Sequence, residues 1–371
     1  MSKYDIAAYI WPAYTGDEPR SRIFWPEGIG EWQTVKNSVR KENGYYWNRK
    51  PVWGYVNEAD PFVMAGQINA ALAHGVNVFI YDWYWYDNRP FLEQCLDNGF
   101  LKAPNNGDMK FYIMWANHDA NTVWDKRIAG KKGQGSNVWQ GAVDRTQFEI
   151  IGKRWIDMYF TRPNYYRIDG KPVVSIYDLN NFVNGLGGVE KAKEALIWLE
   201  NEAVKAGLTG VHFQFIRWSG RQERNLTGVD GGVTETGVKL IEELGFDSLT
   251  HYQFVHFAAM DRDYTDVMVD VEKEWAKMVQ EYKVPYYPHV SIGWDNNPRF
   301  EMFWPGTMNN CSPAHFENAL RKAKAFADKT NVKLITVNSW NEWTESSYLE
   351  PDNVDGYGYL EAVKKVFVDE E

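Results

Sequence analysis

The 371-residue sequence predicts an α/β protein built as a single (β/α)8 TIM barrel with long βα loops, one catalytic domain over 1–371. Three observations predict it. Eight short runs rich in β-branched and aromatic residues recur along the chain, and amphipathic stretches of helical length separate them. No Ser/Gly-rich linker divides the sequence into halves. An open doubly wound sheet shares this alternation, but no glycine-rich phosphate loop follows the first run, so the barrel ranks ahead of it.

The expected strands are "YDIAAYIW" (4–11), "VNVFIYDWYW" (76–85), "KFYIMWAN" (110–117), "KPVVSIYD" (171–178), "GVHFQFIRW" (210–218), "FDSLTHYQF" (246–254), "VPYYPHVSIGW" (284–294) and "KLITVNSWNEW" (333–343). Helix signals fall between them. Pro61 opens one helical pattern and Gly75 stops it; another stops at Gly207; Ser312 caps a third, with Pro313 behind it. A barrel of this kind takes about 250 residues, which leaves about 120 for loops. The expected insertions are 12–60, 118–143 and 219–233.

Composition removes several function classes. With 40 basic and 50 acidic residues the net charge is −10, and no basic tract offsets it, which excludes nucleic acid as a natural partner. No segment approaches the ~18 apolar residues of a membrane span. The start "MSKYDIAAYIWPAYTG" lacks the charged and apolar regions of a signal peptide, so none is expected, and the compartment stays open. Cys95 and Cys311 are isolated and read as inert thiols. His251, His256 and Asp261 lack the spacing of a metal-ligand group, and 261–266 lacks the glycine and final glutamate of a calcium loop. No metal or other cofactor is expected.

The 18 Trp, 22 Tyr and 19 Phe exceed what a core alone needs, and flat rings are what the apolar faces of sugars stack on. Barrel chemistry sits at the C-terminal strand ends. Read in order, those ends carry Tyr9 and Trp11; Asp82, Trp83 and Trp85; Trp115, Asn117 and His118; Tyr177; Arg217 and Trp218; Tyr252; Trp294 and Asp295; and Trp340, Asn341 and Trp343. All are candidate substrate-binding residues. Asp119 and Asp178 are further hydroxyl acceptors, and Arg299 either pairs a catalytic carboxylate or braces Asp295.

The segment "NSWNEWTESSYLEPD" (338–352) holds the candidate catalytic pair, Glu342 and Glu345. Glycosidic cleavage needs a proton on the departing oxygen and a carboxylate near a cationic transition state. A spacing of three points the two side chains to opposite faces of a strand, so they share a site only if the chain turns near Trp343.

This segment, with "GYGYL" following it, resembles the terminal signature of the WbsX-type, glycoside hydrolase family 99-like proteins, N-x-W-N-E-W-x-E-G-x-x-L-E-P then G-Y-x-Y-L. "GWDNNPR", "YWYDNRPFLEQ", "WANHD" and "GKP" resemble that family's other blocks, in order, over residues 4 to 365. Two positions differ: Ser346 replaces the glycine after the second glutamate, and His118 replaces a glutamate after W-A-N. The segment "RWSGRQERNLTG" has no counterpart. The resemblance implies the barrel and, through the family 99 endo-α-mannosidases, a retaining, metal-free glycosidase. There Glu342 would assist the sugar's own 2-hydroxyl through a 1,2-anhydro intermediate, and Glu345 would be general acid and then base. The expected partner is an oligo- or polysaccharide and the expected function is glycoside hydrolysis, although much of the family is named for glycosyl transfer. The alternatives are a transferase on the same scaffold and a glycan-binding module without catalysis.

Overall fold

The computed structural model describes residues 3–125, 127, 135–218 and 233–370. Its central sheet has eight parallel strands: β1 (Asp5–Ile10), β2 (Val78–Tyr86), β3 (Lys110–Trp115), β4 (Lys171–Ile176), β5 (His212–Ile216), β6 (Ser248–Thr250), β7 (His289–Ser291) and β8 (Leu334–Asn338). The order β6-β5-β4-β3-β2-β1-β8-β7 brings the first strand against the last. The remaining edge closes at a parallel bridge between Leu249 and Tyr286, where Leu249 N donates to Pro285 O at 3.0 Å and Tyr287 N to Leu249 O at 2.9 Å. The predicted barrel is therefore present. The sixth, seventh and eighth strands are much shorter than the runs expected at 246–254, 284–294 and 333–343.

Helices α1 (Pro61–Ala73), α2 (Arg145–Trp155), α3 (Leu179–Leu186), α4 (Val189–Lys205), α5 (Val233–Leu244), α6 (Tyr264–Glu281), α7 (Pro313–Thr330) and α8 (Gly358–Phe367) accompany the strands. Their ends follow local chemistry. The Asp60 carboxylate accepts from Phe62 N and Val63 N ahead of Pro61, and Ser312 Oγ accepts from His315 N ahead of Pro313. Gly75, just past α1, has φ +90°, and a Cβ there would meet Val368 at 2.8 Å. Between β2 and β3 no long helix forms; two single turns, Cys95–Gly99 and Phe100–Lys102, take its place.

The inside of the barrel is more polar than the strands' apolar composition suggests. His212, Gln214, Ser248, Thr250, His289, Ser291 and Thr336 are all buried, and they satisfy one another. Ser175 Oγ donates to Gln214 Oε1 at 2.7 Å, Thr250 Oγ1 lies 2.9 Å from Thr336 Oγ1, and His289 reaches both Thr336 and Ser291 at 3.0 Å. This network makes a rigid floor under the C-terminal strand ends.

Of the predicted insertions, 12–60 crosses those ends and carries a helical turn, Trp32–Lys36. The insertion at 118–143 is described except for 126 and 128–134, and a short ribbon there pairs Ala120–Asn121 with Asn137–Trp139. The insertion at 219–233 lies outside the described residues apart from its last position.

Candidate active site

After β8 the chain turns. Asn341–Glu342 pairs antiparallel with Ser347–Tyr348, and Trp343–Glu345 forms one tight helical turn between them. The turn rotates Glu345 out of strand register and brings it round to the side that Glu342 faces. Both side chains line one cavity of about 550 Å³. Ser346, at the position the family gives to glycine, has φ +55°, the left-handed region in which glycine is easiest. Its hydroxyl accepts from Trp47 Nε1 at 2.8 Å and donates to Asp295 O at 3.0 Å, which ties the strained turn to two loops.

Arg299 organises the cavity's charge. Its Nη1 meets Glu345 Oε1 at 2.7 Å, its Nη2 lies 3.5 Å from Glu342 Oε2, and its Nε donates to Glu31 Oε1 at 2.9 Å. Trp11 Nε1 also donates to Glu31. Arg299 therefore pairs three carboxylates and does not brace Asp295, which instead accepts from Tyr45 and Asn297. Asp82 adds a fourth carboxyl, joined to Glu342 through the Tyr252 hydroxyl. Three carboxyls on one buried guanidinium, with a fourth one hydroxyl away, crowd negative charge into a site poor in cations. Burial, then the charge of Glu345, pushes the Glu342 carboxyl well above the usual range while Arg299 pulls it down. Burial raises Glu345 too, against the pull of Arg299. Burial above all, with a smaller push from the Arg299 charge, depresses His118 against the pull of Asp119 and favours its neutral imidazole.

Two groups of rings wall the cavity. Trp11 packs against Tyr84 and Trp124 with ring centroids 5.6 and 5.3 Å apart. Opposite them, Tyr177 lies 4.5 Å from Trp218 and 5.3 Å from Tyr252. Three lining oxygens, Asp82 Oδ1, Asn180 Oδ1 and Glu342 Oε2, are buried without a hydrogen-bond partner among the described residues. Such acceptors suit a ligand rich in hydroxyls.

Of the sequence candidates, Trp11, Asp82, His118, Tyr177, Trp218, Tyr252, Glu342 and Glu345 line this cavity, and Asp119 and Asp178 do so as well. The others do not, for identifiable reasons. Along β2 and β3 alternate residues face opposite sides, so Asp82 and Tyr84 point inward while Trp83, Trp85 and Trp115 point outward. Trp83 Nε1 donates to Glu93, Trp85 Nε1 to Gln147, and Trp115 packs against Trp155 and Phe148. Tyr9 sits two residues below Trp11 in the barrel interior, its hydroxyl donating to His251 O. Asn117 clasps the backbone of Asp178 from both sides, at 2.7 and 2.8 Å. Arg217 is buried and, unlike its neighbour Trp218, does not line the cavity. Trp340, Asn341 and Trp343 turn beneath the hairpin to Gln67, Glu58 and Glu350. Trp294 and Asp295 line a separate cavity of about 490 Å³ beyond the Ser346 turn, together with Tyr45 and Cys311. Missed from sequence were Trp124, Asn121, Asn180 and Asn181 in the wall, and Glu31 behind it; Tyr84, which the sequence places at the second strand's end but not among the binding candidates, lines the wall too. Inward alternation from Asp82 identifies Tyr84; no local pattern marks Glu31.

The profile described as Glycosyltransferase WbsX matches residues 6–363. The uncharacterized protein WxcX of Xanthomonas campestris pv. campestris, in strains ATCC 33913 and B100, is 23% identical over 352 residues, covering 94% of this chain and 47% of the relative. The chain thus spans about half the length of the curated relatives it matches. Among solved structures, the GH99 endo-α-mannosidase from Bacteroides thetaiotaomicron superposes with TM-score 0.62 as its bis-tris-propane complex and 0.61 without it. Identity is 16% in both, with 100% of this chain and 97% and 98% of those chains covered. A glycoside hydrolase-like protein gives 0.60 at 15% identity, covering 99% of this chain and 94% of that one. At these identities the structural likeness is one of fold. The family match covers nearly the whole chain: the protein belongs to the WbsX glycosyltransferase family.

Proposed function

We propose that the chain is a retaining glycoside hydrolase acting on an oligo- or polysaccharide, with Glu342 and Glu345 as its working carboxyls. The observation that carries this reading is their placement on one guanidinium in a ring-walled cavity of about 550 Å³. Glu345 is the acid. Arg299 occupies its Oε1, so the proton sits on Oε2 and passes to the departing glycosidic oxygen. Glu342 is the base. Its unpartnered Oε2 takes the proton of the sugar's 2-hydroxyl as that oxygen closes on the anomeric carbon and the glycosidic bond breaks. Water, deprotonated by Glu345, then opens the three-membered ring, and Glu342 returns its proton to the 2-oxygen. Two displacements at one carbon retain configuration.

The family's name favours a second reading, transfer from a nucleotide-activated sugar. A diphosphate calls for free cations or a phosphate loop. Among the described lining residues Arg299 is the cation, and carboxylates surround it. That favours hydrolysis. A glycan panel incubated without nucleotide sugars, with wild type, Glu342→Gln and Glu345→Gln in parallel, tests the choice. Cleavage abolished in both variants supports hydrolysis. Turnover only with an activated donor assigns transfer, and binding unchanged by either substitution assigns a non-catalytic module.

A further inference from the structure

The Tyr252 hydroxyl lies 2.9 Å from Asp82 Oδ2 and 3.0 Å from Glu342 Oε1. A phenol has one hydrogen and can donate to one of these carboxyls only. If both were ionised, the other contact would set lone pair against lone pair in a buried site, a costly arrangement. The geometry therefore calls for a second proton, carried by one carboxyl and donated to the phenol oxygen.

The surroundings decide which carboxyl carries it. Burial pushes both carboxyls up, but Glu342 alone of the two has Arg299, with Nη2 at 3.5 Å, to favour its ionised form. Asp82 pairs with no Lys, Arg or His among the described residues, and its Oδ1 is buried without a partner. The titratable groups around Asp82 are the phenols of Tyr9, Tyr84, Tyr177 and Tyr252, all pushed up by burial and so neutral, together with Glu342 and Glu345. Burial drives the Asp82 carboxyl well above its usual range, the Tyr252 hydroxyl opposes that rise, and any ionisation of Glu345 adds to it.

We propose that Asp82 is a neutral acid that donates to the Tyr252 oxygen while Tyr252 donates to Glu342, making both positioning residues that keep Glu342 ionised. The inference deepens the hydrolase reading and rests on Glu342 being its base. The bonds run Asp82 Oδ2–H to Tyr252 Oη, then Tyr252 Oη–H to Glu342 Oε1. Oε2 is left to take the substrate's proton, and no proton leaves the chain of bonds.

Infrared difference spectra of the free protein at neutral pH test the assignment without any substrate, and so independently of the hydrolase reading. Besides the bands of Glu345 and of the Glu58–Glu350 pair, which both variants keep, one protonated-carboxyl C=O band should disappear in Asp82→Asn and persist in Glu342→Gln. A band lost only in Glu342→Gln, lost in both, or lost in neither overturns the assignment. Turnover supplies a second arm. The amide of Asp82→Asn can donate the same bond, so its rate should stay within about tenfold of wild type. Asp82→Leu and Tyr252→Phe should each lose about a hundredfold and move the acidic limb of the pH profile upward. If Asp82→Asn loses as much as Asp82→Leu, Asp82 works as an anion and the proposal fails.

Discussion

The hairpin after β8 carries acidic side chains on two sides, and the fold treats them in opposite ways. Toward the cavity, Glu342 and Glu345 share Arg299. Beneath the hairpin, Glu350 and Glu58 lie fully enclosed and pair with no cation among the described residues. Amides and an indole hold them instead. Gln67 Nε2 reaches Glu350 at 2.8 Å and Glu58 at 3.2 Å, Trp343 Nε1 donates to Glu350 at 2.6 Å, and Asn341 Nδ2 donates to Glu58 at 2.9 Å. Burial raises both carboxyls, Glu58 to about 7. A guanidinium is what separates the pair proposed to react from the pair held by amides and an indole. Beside it, in the proposed reaction, carboxyls exchange protons with a ligand; without it, they share a proton and clamp the turn.

The sharpest way to break this comparison is to neutralise each pair in turn. Glu345→Gln and Glu342→Gln should each lower kcat by about 10²- to 10⁴-fold while the melting temperature hardly moves. Glu350→Gln should show the reverse pattern, and equal rate losses on both sides of the hairpin would erase the distinction. Arg299→Met comes next. Its loss strands Glu31 and Glu345 in a buried site, with an expected cost of about 3–5 kcal/mol in denaturant unfolding. A change below about 1 kcal/mol would show that Arg299 is no organiser.

The pair beneath the hairpin predicts a third effect. A carboxyl whose folded pKa is raised binds its proton more tightly in the native state. Its stabilisation is complete below the unfolded value of 4.5 and is lost as pH rises through about 7. Unfolding free energy should fall by up to about 3 kcal/mol over that window, and Glu58→Gln should flatten the slope. A slope left unchanged by Glu58→Gln would place the shared proton elsewhere. Ser346→Gly should matter least. It relieves the left-handed backbone but loses the bonds to Trp47 and Asp295, so thermal unfolding should register about 1 kcal/mol or less of either sign.

Much of the scaffold was legible in the sequence because strand composition and helix caps are local signals. Pro61, Gly75 and Ser312 sit where their chemistry requires. The site was harder. Trp83, Trp85 and Trp115 carry the same indole as Trp11 and Trp218, and only the two-residue alternation of β2 and β3 tells inward from outward. Glu31 lies 268 residues from Arg299 in sequence, so no spacing could join them. The barrel interior pairs His212 with Ser248, Thr250 with Thr336 and His289 with Thr336 across strands, and composition does not disclose such pairings.

In the proposed reaction Glu342 and Glu345 act on one glycosidic bond in separate roles. The most direct measurement is the rate of Glu345→Gln and Glu342→Gln on aryl glycosides of graded leaving-group acidity, using the sugar the glycan panel identifies. Glu345→Gln should be crippled on poor leaving groups and recover on activated ones that need no proton, while Glu342→Gln stays slow on all. A uniform loss in both variants across the series would contradict it.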